Sequence, residues 1–108
     1  MRGYEKLIEL RRAHKAPRFV FVNDYPCRTD WHENAGDAVT VCTAGDDIDL
    51  LDLRCLVGLR VSISSPAEAR AKALFERCKD AGAATVAACH VLGWGDGWAE
   101  VWHRKEVA

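Results

Sequence analysis

The chain has 108 residues, enough for one hydrophobic core and too few for two ordinary domains, so residues 1–108 read as a single globular domain. Hydrophobic residues make up 49% and charged residues 29%, and no apolar run approaches a membrane span or a signal-peptide core. A soluble, cytoplasmic, membrane-free protein is the expectation. The net charge of −1 is unevenly spread: residues 1–18 hold six Lys/Arg against two Glu, and residues 24–52 hold eight Asp/Glu against Arg28. Such polarity can steer a charged partner, but a pI near 6.4 does not favour a nucleic acid.

In chain order, Tyr4, Leu7, Ile8 and Leu10 recur at helical spacing among charged residues, predicting an amphipathic helix from Gly3 to Lys15 that Pro17 stops. The apolar run "RFVFV" (18–22) is expected to be an interior strand covered on both faces. Residues 23–37 form a long polar stretch interrupted by Tyr25 and Trp31, and a loop of this length in a small domain is usually functional. "AVTVCT" (38–43) reads as a second strand. For 46–56 both helix and strand fit. Helix is preferred, with Asp46 as its N-cap and Asp47 and Asp49 near its positive end.

The segment 59–64 alternates, with Leu59, Val61 and Ile63 on one side and Arg60, Ser62 and Ser64 on the other, as in a strand wetted on one face. A helix is predicted over 66–81, with Ser65 as N-cap, Pro66 at the first helical position and Glu68 closing a capping box. Its buried stripe is Ala67, Ala71, Leu74, Phe75 and Cys78, Glu68 can pair with Lys72, and Gly82 suits a left-handed C-terminal cap. A strand over 84–92 then completes a parallel β-α-β crossover. Asp96-Gly97 suits a hairpin turn into a last strand through "WAEVWHR". A two-residue loop would set His90 opposite His103, and a three-residue loop would set Cys89 opposite His103 and Trp94 opposite Trp98. The expected fold is therefore α/β (or α+β): a mixed sheet of about five strands with one parallel crossover, an N-terminal amphipathic helix and a C-terminal β-hairpin.

Candidate chemistry falls into four groups. Trp94, Trp98 and Trp102 crowd the hairpin beside Arg104, and together with Trp31 they suggest an aromatic contact surface, since indoles are common interface anchors. Arg11, Arg12 and Lys15 gather on the first helix and could meet an acidic partner. Asp24, Asp46 and Asp47 follow strands one and two, where carboxylates could hold Mg²⁺ for phosphoryl chemistry. His90, His103, His32 and Cys27 could be assembled into a metal site, although their spacing matches no known ligand pattern.

Two other motifs carry less. "GWGDG" lacks the helix that a phosphate loop needs after it. Cys27, Cys42, Cys55, Cys78 and Cys89 are odd in number and include no C-x-x-C, so neither a disulfide framework nor a zinc ribbon is expected.

The preferred reading is a small adaptor or inhibitor that binds another macromolecule through the aromatic hairpin and the 23–37 loop, with no cofactor and no enzymatic activity. A protein partner is favoured over a nucleic acid, and self-association is compatible with the sequence. The alternative reading is a small Mg²⁺-dependent enzyme acting on a phosphate-containing substrate.

Overall fold

The structure is a computed structural model that describes residues 3–27, 38–50, 53–91 and 98–104; for 50, 91 and 98–104 the backbone alone is described. Helix α1 spans Tyr4–Arg12, strand β1 Phe19–Asn23, β2 Ala38–Cys42, β3 Arg60–Ser65, helix α2 Glu68–Asp80, β4 Thr85–Val91 and β5 Trp98–Arg104. The sheet order is β2-β1-β3-β4-β5. β1 pairs parallel with β2 and with β3, and β3 pairs parallel with β4. The expectation of a single parallel crossover is thus corrected: the body of the domain is a four-stranded all-parallel sheet with two helices. No described helix is long and apolar enough to cross a membrane.

The expected tight C-terminal hairpin is also corrected. The backbone of β5 lies antiparallel to β4, but Ala87 stands opposite His103 and His90 opposite Glu100, which is neither of the two expected registers, His90 opposite His103 or Cys89 opposite His103. The turn expected at Asp96-Gly97 lies outside the described residues, as does Trp94. Between His90 and Val91 the register shifts, so that Trp98 stands beside Val91 while Trp102 stands beside Ala88. Among the described residues the C-terminal hairpin presents no aromatic cluster, and the expected aromatic contact surface is corrected on that ground.

Local chemistry explains most element boundaries. α1 buries Tyr4 and Leu7, with Ile8 and Leu10 partly buried, as its spacing predicts. It ends before Lys15, in a left-handed turn at His14 (φ 57°) where the amides of His14 and Lys15 bond back to the carbonyls of Arg11 and Leu10. α2 buries Ala71, Leu74 and Cys78, pairs Glu68 with Lys72 at 3.0 Å and hands over to Gly82 at φ 96°.

Its start differs from the capping-box expectation. Ala67 is the N-cap residue, while the Ser65 hydroxyl accepts the Ala67 amide two residues on. The helix expected over 46–56 is replaced by two short 3-10 turns, Ile48–Leu50 and Arg54–Leu56. Asp46 does not cap a helix: the Asp49 amide it would accept goes to the Asp47 carboxylate in a local side-chain turn, and the Asp46 amide closes a tight turn onto the Thr43 carbonyl.

One face of the sheet carries the core. Val20, Val22, Val39, Val41, Val61, Ile63, Val86 and Ala88 form a single cluster with Leu7 of α1, Leu56, and Leu74 and Cys78 of α2. The opposite face receives no helix among the described residues. This corrects the reading of "RFVFV" as covered on both sides: Phe19 is exposed and Phe21 half-buried, and they alternate with the buried Val20 and Val22.

Candidate functional site

In this strand order β1 is flanked by β2 on one side and β3 on the other, which makes the carboxyl end of β1 the point where the sheet changes direction, the usual ligand crevice of open α/β sheets. Asp24 sits there, 5% exposed. Its Oδ1 accepts the Thr43 hydroxyl at 2.6 Å, the Gly45 amide at 3.0 Å and Arg70 Nη2 at 2.9 Å. Its Oδ2 accepts the Ser65 hydroxyl and Arg70 Nε, both at 2.7 Å. Nη2 of Arg70 also reaches the Asp46 carbonyl at 2.8 Å.

Backbone geometry assembles this network. The turn after β2 puts Ala44 at φ 43° and Gly45 at φ 85°, which aims the Gly45 amide at the carboxylate. Burial alone pushes the Asp24 carboxyl up, and Arg70, Thr43, Ser65 and Gly45 outweigh it, bringing the group from 3.8 to about 2.

Five donors occupy the acceptor capacity of this carboxylate. It can neither take a proton at neutral pH nor offer oxygens to a cation. The Mg²⁺ enzyme reading is corrected on this ground and on a second: among the described residues no three His, Cys, Asp or Glu side chains are placed to hold a metal. Asp46 and Asp47 are exposed, Asp46 meeting Arg70 through its backbone carbonyl and Asp47 spending one carboxylate oxygen on the Asp49 amide. Of the other imagined ligands, His103 does not stand opposite His90, Cys27 is buried, and His32 lies outside the described residues. Asp24 thus ties β1, β2, β3 and α2 together.

The adaptor reading is corrected as well. The 23–37 stretch turns inward where it is described, with Asn23, Asp24 and Cys27 buried. Residues 28–37, with Trp31, lie outside the described residues. Of the remaining expected contacts, Arg104 stands beside Val86 on β5, and Arg11, Arg12 and Lys15 occupy the end of α1 and the segment leading into β1.

The opposite end of the sheet has a different chemistry. The two large hydrophobic side chains exposed among the described residues, Phe19 (40%) and Val57 (44%), both lie at the amino-terminal end of the parallel strands. Phe19 opens β1 beside Arg60, the first residue of β3, and the guanidiniums of Arg18 and Arg60 lie 5.9 and 5.8 Å from the centre of its ring. Arg11 donates to the Val57 carbonyl at 3.0 Å, which fixes the basic end of α1 to the same edge. Lys15 precedes Arg18 by three residues.

Because the four strands run the same way, the charge segmentation of the sequence becomes a spatial one. The basic residues 11–18 and Arg60 gather at the amino edge, and Asp46, Asp47 and Glu68 at the carboxyl edge. Sequence reasoning missed Phe19, Arg60, Thr43, Ser65 and Arg70. For Phe19 and Arg60 a signal existed in the parity of each strand, since each precedes a buried valine. Comparison of the chain with protein-family models, curated proteins and solved structures finds no match.

Proposed function

We propose that the chain, taken as one domain over 1–108, is a binding module for a polyanion that docks on the amino-terminal edge of the parallel strands. The observation that carries this reading is Phe19, exposed at the amino edge with the guanidiniums of Arg18 and Arg60 over its ring. A guanidinium resting on an aromatic ring keeps its in-plane N–H groups directed outward and loses little further freedom when it meets a phosphate or carboxylate. Arg11, Arg12 and Lys15 extend the positive surface. The acidic carboxyl edge adds a field gradient that orients an approaching anion. A net charge near zero does not oppose this, because the local potential is set by distribution rather than by the sum.

The test is fluorescence anisotropy with a labelled heparin fragment at low and high salt. Wild type is expected to bind, salt should weaken it, and Arg60→Glu or Lys15→Glu should weaken it about ten-fold or more. Lys72→Glu, on the exposed side of α2, should change it little. A wild-type protein that ignores heparin at low salt, or binding equally sensitive to Lys72→Glu, overturns the proposal.

A further inference from the structure

On the reading just given, we infer that the anionic surface seated on the amino edge is the carboxyl edge of a second copy of this chain, so that domains join head to tail. The two ends of the parallel sheet are complementary in charge. Arg12, Lys15, Arg18 and Arg60 are exposed at the amino end, where α2 also closes in Asp80. Asp46, Asp47 and Glu68 are exposed at the carboxyl end, and Arg70 beside Asp46 already has its charge matched by Asp24.

The lateral order of the charges matches as well. On the helix-bearing face α1 packs against β2, and α2 against β3 and β4. The basic end of α1 therefore belongs to the β2 half of the amino end, and Asp46 and Asp47 leave β2 in the same half of the carboxyl end. Arg60 opens β3, and Glu68 opens α2 three residues after β3 closes at Ser65. Shifting one copy along the strand axis thus sets Arg12 and Lys15 towards Asp46 and Asp47, and Arg60 towards Glu68, with no rotation needed to match the signs. Relief agrees with charge. The exposed large side chains Phe19 and Val57 stand at the amino end, whereas Ala44, Gly45, Pro66 and Ala67, exposed among the carboxylates, are low. The guanidiniums of Arg18 and Arg60 stay on the Phe19 ring and meet the carboxylates through their outward N–H groups.

A contact between two different patches leaves a free edge of each kind, so growth continues past two chains. Exposed ion pairs are weak singly, and Lys72 already holds Glu68 at 3.0 Å, so the association is weak and sensitive to salt. The experiment is sedimentation velocity of the full chain over a range of about 10 μM to 1 mM. At low salt the average mass should climb with concentration beyond that of a pair. High salt should return it to the 12.0 kDa of one chain, and so should heparin, which takes the amino edge. Lys15→Gln with Arg60→Gln disables one edge, and Asp47→Asn with Glu68→Gln the other. Each double variant alone should associate about ten-fold or more weakly than wild type. Their mixture should form a species of two chains and nothing larger, because each supplies one intact edge. All four positions are exposed, and thermal unfolding checks that each variant is folded. Should one unfold, the salt and heparin arms decide on wild type alone.

A wild-type chain that binds heparin yet stays monomeric at low salt overturns the inference and leaves the polyanion reading standing. Association that heparin does not reverse, that either folded double variant leaves unchanged, or that the mixture carries beyond two chains overturns the inference as well. A wild-type chain that ignores heparin removes both.

Discussion

Asp24→Asn tests the physical centre of the fold. In the folded protein the carboxyl is held at about 2 against 3.8 in an ordinary setting, a depression of nearly two pH units. At about 1.4 kcal/mol per unit, ionised Asp24 contributes roughly 2.5 kcal/mol at neutral pH. The sign follows from proton uptake. The folded group binds its proton less readily than the unfolded one, so the stabilisation is complete above about pH 5 and is lost as the pH falls towards about 2.

A second route gives a similar figure, since removing one partner of a buried ion pair costs about 3–5 kcal/mol. Asparagine keeps the size of the side chain but turns an NH₂ group towards donors, and leaves Arg70 without its counter-charge. Urea unfolding followed by tryptophan fluorescence should show a loss of about 2–4 kcal/mol at neutral pH. The acid-dependent part of the wild-type curve should be correspondingly smaller in the variant. Adding Arg70→Met should recover part of the loss, because the unpaired guanidinium goes with it. A variant within about 0.5 kcal/mol of wild type, or one whose stability falls with acid in parallel with wild type, would refute the reasoning.

Further outcomes follow from single positions. Gly45→Ala places a side chain at φ 85° where nothing stands within 4 Å, so its cost is backbone strain alone, about 1–2 kcal/mol. The alanine amide still donates to Asp24, so the acid dependence should persist, and its disappearance would show that the turn had moved. Cys78 faces the core from α2, and burial pushes its thiol up to about 12. In native protein at neutral pH iodoacetamide should leave it unmodified while urea exposes it, and native labelling at the denatured rate, read by mass spectrometry, would contradict the buried position.

The elements that could be read from the chain are those whose pattern is local. Leu59, Val61 and Ile63 alternate with Arg60, Ser62 and Ser64 because a strand has a period of two, and the buried row is the expected one. The stripe Ala71, Leu74 and Cys78 of α2 and the left-handed Gly82 follow from equally local rules. Where two local rules competed, the sequence misled. Ser65 satisfies the spacing of a helix cap, but its hydroxyl donates to a carboxylate 41 residues away and accepts only the Ala67 amide. Asp46 satisfies the same rule and serves Arg70 through its carbonyl. The 46–56 segment forms two 3-10 turns instead, with the Asp49 amide on the Asp47 carboxylate and the Leu56 amide on the Leu53 carbonyl, three residues back rather than four.

By itself, then, the sequence determined which residues are apolar at which period, and so where α2 and the parallel strand pair around it lie. It also set the separation of basic and acidic segments along the chain. Only the tertiary structure decided that β1 is central, that its neighbours are β2 and β3, and that all four strands point one way. Those facts convert a linear charge pattern into two opposite edges, bring Arg70 across 46 residues to Asp24, and leave Phe19 open beside Arg60. The physical reason is that strand order and facing depend on contacts between segments far apart in the chain, whose free energies come from burial and pairing and leave no local periodicity to read.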